Sequence, residues 1–116
     1  MSESEAESIP VPPEDAPWWG VVDGFALSFN AYDRMGGMDP VAALANSVEQ
    51  GFKVDGALPE DVDSLRACLF FEQRRWRHFD HDPYDNEMVH SYLTALLRKI
   101  RQVSGGTIPG PPDPSP

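Results

Sequence analysis

Two apolar stripes at helical spacing, joined by only a few residues, leave residues 59 to 103 little choice of fold. With Leu65 as zero and about 100° per residue, Val62, Cys68, Leu69, Glu72, Trp76 and Phe79 fall within about 60° of it. A second stripe follows in Val89, Leu93, Leu96, Leu97 and Ile100. Pro59, Glu60, Asp61 and Asp63 mark a helix start near residue 60, because free backbone N–H groups and the positive dipole end favour carboxylates there. Asp82-Pro83-Tyr84-Asp85 repeats the signal as a cap, a first-turn proline and an acid three places on. Gly105-Gly106 stops the second helix after about Val103, since a left-handed cap suits glycine. A connection this short makes the two helices antiparallel neighbours.

Charge placement supports the same pairing. Each helix is acidic at its start and basic at its end: Arg74, Arg75 and Arg77 close the first, Arg98, Lys99 and Arg101 the second. Laid antiparallel, the basic end of each lies beside the acidic start of the other. Exposed ion pairs contribute only about 0 to 1 kcal/mol each, so they speak for register more than for stability. Phe70 and Phe71 lie off the first stripe. The helix that carries them is therefore expected to be touched on more than one side and to be the central one.

Upstream, Trp18, Val21, Val22, Phe25, Phe29 and Tyr32 share a face, with Gly36-Gly37 as the stop. Gly24 inside this helix costs roughly 1 kcal/mol relative to alanine, tolerable where another helix passes close by. Asp39-Pro40 then starts a short helix over about residues 39 to 50, with Val41, Leu44, Ala45, Val48 and Phe52 as its stripe. Residues 51 to 58 read as a loop. The expected fold is all-α, a single small bundle of about four helices with a C-terminal antiparallel helical hairpin.

Composition sets the domain limits. Five of the 19 acidic residues and four of the 12 prolines lie in residues 1 to 17, and five more prolines lie in 109 to 116. Residues 1 to 16 are expected to be a disordered acidic and proline-rich tail, 17 to 103 the helical domain, and 104 to 116 a disordered glycine- and proline-rich tail. One core is expected from a domain of this size. The single cysteine excludes an internal disulfide, no basic segment with an apolar run opens the chain, and no stretch approaches a membrane span. A soluble, cytoplasmic protein is the expectation. A formal net charge of −10 disfavours general nucleic-acid or anionic-membrane binding and permits a protein partner.

Candidate chemistry is sparse. Glu72 sits on the apolar face, where a carboxylate must be paired, hydrogen-bonded or protonated, so either an arginine or a tryptophan indole N–H beside it, or a functional acid, is expected. His78, Asp80, His81 and Asp82 crowd the turn between the hairpin helices and carry metal-ligating groups, although the helix dipole and the capping role of Asp82 account for them without an ion. Glu87 and His90 have an acid-x-x-histidine spacing, but di-metal bundles need two such motifs. Arg74, Arg75 and Arg77, interleaved with Trp76, form a miniature basic patch suited to an anion or an acidic partner. Cys68, between apolar neighbours, is expected to be inert. No glycine-rich phosphate loop, nucleophile elbow or paired CxxC is present.

The chain therefore reads as a non-enzymatic protein-interaction module, of regulatory, inhibitor or immunity type, without cofactor or metal. Its binding candidates are Arg74, Arg75, Arg77, His78 and His81. A protein partner or a homodimer through the backs of Phe70 and Phe71 would suit it. Two alternatives remain beside this: a small metal-binding or enzymatic bundle using Glu72 and the nearby histidines, and an anion or nucleic-acid site built on Arg74, Arg75, Trp76 and Arg77.

Overall fold

A computed structural model describes residues 9 to 79 and 81 to 108. Residues 1 to 8 and 109 to 116 of the expected tails, and Asp80 of the histidine turn, lie outside the described residues. The elements in order are β1 (Ile9–Pro10), an irregular turn over Trp18–Val22, α1 (Asp23–Leu27), α2 (Ala31–Arg34), α3 (Met38–Asp55), α4 (Val62–Phe79), a 3-10 turn over Pro83–Asp85, α5 (Glu87–Ser104) and β2 (Thr107–Ile108). The architecture is an all-α bundle, with a two-residue antiparallel ladder between β1 and β2 at its edge.

α4 is the central helix and touches α1, α2, α3 and α5. Its stripe residues Leu65, Cys68, Leu69 and Glu72 are buried, and Leu93, Leu96, Leu97 and Ile100 of α5 close over them. Burying a side chain of this size stabilises by about 1.5 to 3 kcal/mol relative to exposure, so this seam is a major contributor to the core. Phe70, off the stripe, is buried in a second cluster with Phe29, Ala31, Val41 and Ala67. The homodimer surface expected at its back is thus covered by the protein's own helices. The stripe ends before the helix does: Trp76 is half-buried and Phe79 is 59% exposed, because no element among the described residues covers the last turn of α4 on that side.

The hairpin is antiparallel. Glu60, just before α4, accepts from Lys99 Nζ near the end of α5 at 2.7 Å, and Cys68 faces Tyr92 further along. Among the described residues, only this one of the two expected charge junctions forms. At the other end Arg77 turns to Asp23 and Arg75 to Glu49, carboxylates that α1 and α3 bring closer than the start of α5.

Several element boundaries differ from the sequence expectation. The first helix does not run unbroken from Pro17 to Gly36: Trp19 is extended and Gly20 has a φ of 89°, a left-handed value that glycine takes without Cβ strain. A second break follows at Ser28, whose hydroxyl donates to the Phe25 carbonyl at 2.6 Å, and Asn30 then caps α2. Val21, expected on the buried face, is exposed in consequence. A Cβ at Gly24 would meet nothing within 4 Å, so no close helix crossing explains that glycine. α3 runs through Gly51 to Asp55 and stops at Gly56, with Val41 and Ala45 buried and Phe52 packed beside the core. Asp82 caps the 3-10 turn by accepting from the Tyr84 N–H, whereas the cap of α5 is Asn86, which accepts from the Val89 N–H. Gly105 ends α5 in the left-handed conformation, as expected.

The expected tail boundary at residue 16 does not describe residues 9 to 16. Val11 and Ala16 belong to the main core, the Val11 N–H donates to the Gly106 carbonyl, and Arg101 donates to the Val11 carbonyl. Glu14 pairs with Arg98. This segment runs along α5 from its C-terminal end toward Trp18, which meets Tyr84 edge to face beside the start of α5.

Candidate functional site: an arginine and aromatic groove

The basic end of α4 forms one wall of an open groove of about 470 Å³, lined by Tyr32, Phe71, Arg74, Arg75, Arg77, His78 and Phe79. Its cationic residues follow from local sequence, since guanidinium groups are favoured at the negative end of the helix dipole. Its aromatic residues do not. Tyr32 arrives from α2, its ring packed edge to face on Phe70 at 5.0 Å, and Phe79 is available only because the core stripe ends early.

The three arginines differ in how they are held. Arg77 Nη2 donates to Asp23 Oδ2 at 2.9 Å, and its guanidinium lies 5.2 Å over the Trp19 ring. Asp23 is buried, so this pair is anchored on one side, while the Arg77 side chain stays 57% exposed. Arg75 Nη1 stands 3.8 Å from both Glu49 Oε1 and Glu72 Oε2. Those distances are ion pairing without a hydrogen bond, so its donors remain open toward the groove. Arg74 makes no ion pair among the described residues. Trp19, against the Arg77 guanidinium, is itself partly exposed.

Behind this wall lies a buried polar cluster. Glu72 is 2% exposed and accepts from the Trp76 indole N–H at 2.9 Å, with Arg75 as its cation. Both partners anticipated for it are thus present. Burial pushes its carboxyl above the usual carboxylate range, against the opposing effects of the indole hydrogen bond and Arg75. Burial likewise pushes the Cys68 thiol up to about 12, and raises the Tyr92 phenol facing it. A thiol so placed is inert, as its sequence neighbours imply.

The remaining candidates do not join the groove. His81 is exposed and outside its lining, and the Asp82 carboxylate is occupied by the Tyr84 N–H. Glu87 is exposed, and His90 stacks on Tyr84 with ring centroids 4.4 Å apart. Among the described residues no three His, Cys, Asp or Glu side chains converge as a metal would require. Sequence reading missed Tyr32, Phe71 and Phe79 as groove residues, and Asp23 and Glu49 as the carboxylates that hold the arginines. Asp23 and Glu49 carry no local mark of that role. Gln73, fully buried with no partner for its side-chain amide among the described residues, was missed too, being just off the stripe.

Comparison of the chain with protein-family models, with curated proteins and with solved structures finds no match.

Proposed function

We propose that this protein is a non-enzymatic interaction module that takes a short acidic segment of a protein partner into the groove at the end of α4. The observation that carries this is the lining itself: three arginines and a histidine beside Tyr32, Phe71 and Phe79, on a chain of net charge −10. Aromatic rings supply apolar contact area and arginines supply carboxylate recognition, the two components in which binding hot spots are enriched. The basic lining of the groove is confined to one end of one helix. A long polyanion would run past it onto the acidic remainder of the surface, whereas a short segment would not. No helix among the described residues is long and apolar enough to cross a membrane.

The test is fluorescence anisotropy with a labelled glutamate-rich peptide carrying a central phenylalanine, beside a single-stranded oligonucleotide of equal charge. The peptide is expected to bind in a salt-sensitive manner, more tightly than the oligonucleotide, and to lose most of its affinity on Arg74→Ala. Binding unchanged by Arg74→Ala, or preference for the oligonucleotide, would overturn the proposal.

A further inference from the structure

Arg75 belongs to two sites at once. It lines the groove, and its guanidinium stands 3.8 Å from each of two carboxylates, Glu49 on α3 and Glu72 on its own helix. The two carboxylates are not equally dependent on it. Glu49 keeps a second cation, Lys53, at 3.6 Å and is partly exposed to water. Glu72 is buried, and its hydrogen-bond partner is the neutral Trp76 indole; its second oxygen, Oε2, accepts no hydrogen bond among the described residues. The groups around Glu72 are Glu49 and Lys53 from α3, Cys68, Arg75 and Trp76 from α4, and Tyr92 from α5. Arg75 is the nearest cation among them, and it is also the one that lines the groove.

We propose that anion binding in the groove is coupled to proton uptake by Glu72, because an incoming anion draws Arg75 away from the Glu49 and Glu72 carboxylates. This rests on the groove being the binding site. An anion that recruits Arg75 both removes positive charge from beside Glu72 and places negative charge nearby. Each change favours the neutral carboxylic acid, whose hydroxyl takes its proton from solvent. Its other oxygen still accepts from the indole. By reciprocity, protonation of Glu72 releases Arg75 for the ligand, so the groove binds anions more tightly as pH falls. The direction agrees with burial already holding the Glu72 carboxyl above the usual carboxylate range.

The experiment uses 2-naphthalenesulfonate, an aromatic ring with an anion that does not titrate, and measures its affinity for the full chain from pH 8 to pH 5. Wild type is compared with Glu72→Gln, which keeps an oxygen for the Trp76 indole, and with Arg75→Ala and Arg74→Ala. His78 stands in all four proteins, so a difference in pH slope between wild type and Glu72→Gln reports Glu72. Wild type is expected to gain roughly fivefold or more in affinity over the range beyond the gain of Glu72→Gln. Arg75→Ala is expected to bind more weakly and to share the flatter slope. Parallel slopes in wild type and Glu72→Gln, with affinity still lost on Arg74→Ala, would overturn the coupling and leave the groove standing. Affinity indifferent to Arg74→Ala would remove both.

Discussion

The indole N–H of Trp76 donates to Oε1 of Glu72, one turn earlier on the same helix, at 2.9 Å. That hydrogen bond lets the central helix carry a carboxylate on a face otherwise filled by Leu65, Cys68 and Leu69. It stabilises the ionised form, but burial acts in the opposite sense and prevails, since the carboxyl is held above the ordinary carboxylate range.

A pH dependence of stability follows. At intermediate pH the folded chain keeps a proton on Glu72 that the unfolded chain has released. Stability from this group is therefore fully present below the unfolded pKa, about 4.3, and is lost as pH rises through the folded one. In urea titrations between pH 4 and pH 8, Glu72→Gln is expected to gain on wild type as pH rises from about 4, the difference levelling off once Glu72 is ionised in both states. Trp76→Phe, which removes the donor, is expected to cost about 1 to 3 kcal/mol at pH 7 and less at pH 4. A constant difference between Glu72→Gln and wild type across the range would contradict this assignment.

Two neighbouring arginines should behave differently in the same assay. Arg77→Ala leaves the buried Asp23 carboxylate without its cation and is expected to cost about 1 to 3 kcal/mol, since the group loses a charged hydrogen bond. Arg74→Ala removes no partnered group among the described residues and is expected to stay within about 0.5 kcal/mol of wild type. Equal losses in the two variants would mean that the Asp23 pairing contributes nothing.

The segment before Trp18 should contribute to stability despite its tail-like composition. Val11 is 3% exposed, so Val11→Ala is expected to cost about 1 to 3 kcal/mol. A chain beginning at Pro17 is expected to melt at lower temperature than the full chain. Calorimetry showing identical melting would place the segment outside the cooperative unit.

Cys68 is fully buried, with its thiol held at about 12. Native protein is expected to resist a colorimetric disulfide reagent at pH 8, and one thiol should react once urea unfolds the chain. Fast labelling at the rate of a free thiol would show the α4 and α5 seam to be open.

Gly24 lies in α1 with ordinary backbone geometry and empty space where a Cβ would stand. Gly24→Ala is expected to stabilise by about 0.5 to 1 kcal/mol, mainly by restricting the unfolded chain. A rise in the urea midpoint checks this; a fall would show that something passes close to Gly24.

Much of the scaffold was legible in the sequence. The stripes of α4 and α5, the Gly105 stop, the centrality of α4 and the pairing of Glu72 all follow from periodicity and from the cost of an unpartnered buried carboxylate. The break at Gly20 and the transfer of the α5 cap from Asp82 to Asn86 were less legible. Continuous helix and interrupted helix share the same apolar spacing over so few residues, and two capping residues close together are locally equivalent. The burial of Val11 and Ala16 was hidden because proline-rich composition measures how little a segment can bury alone, and here α5 supplies the surface.

For the groove, local sequence determined the basic half. Arg74, Arg75, Arg77 and His78 end a helix because its dipole favours cations there, and this holds whatever packs nearby. Tertiary structure alone decided that Tyr32 would arrive from α2, that Phe79 would lie beyond the core, and that Asp23 and Glu49 would hold Arg77 and Arg75. Helical periodicity assigns a residue to a face of its own helix, but which distant residue comes to face it depends on how the helices dock.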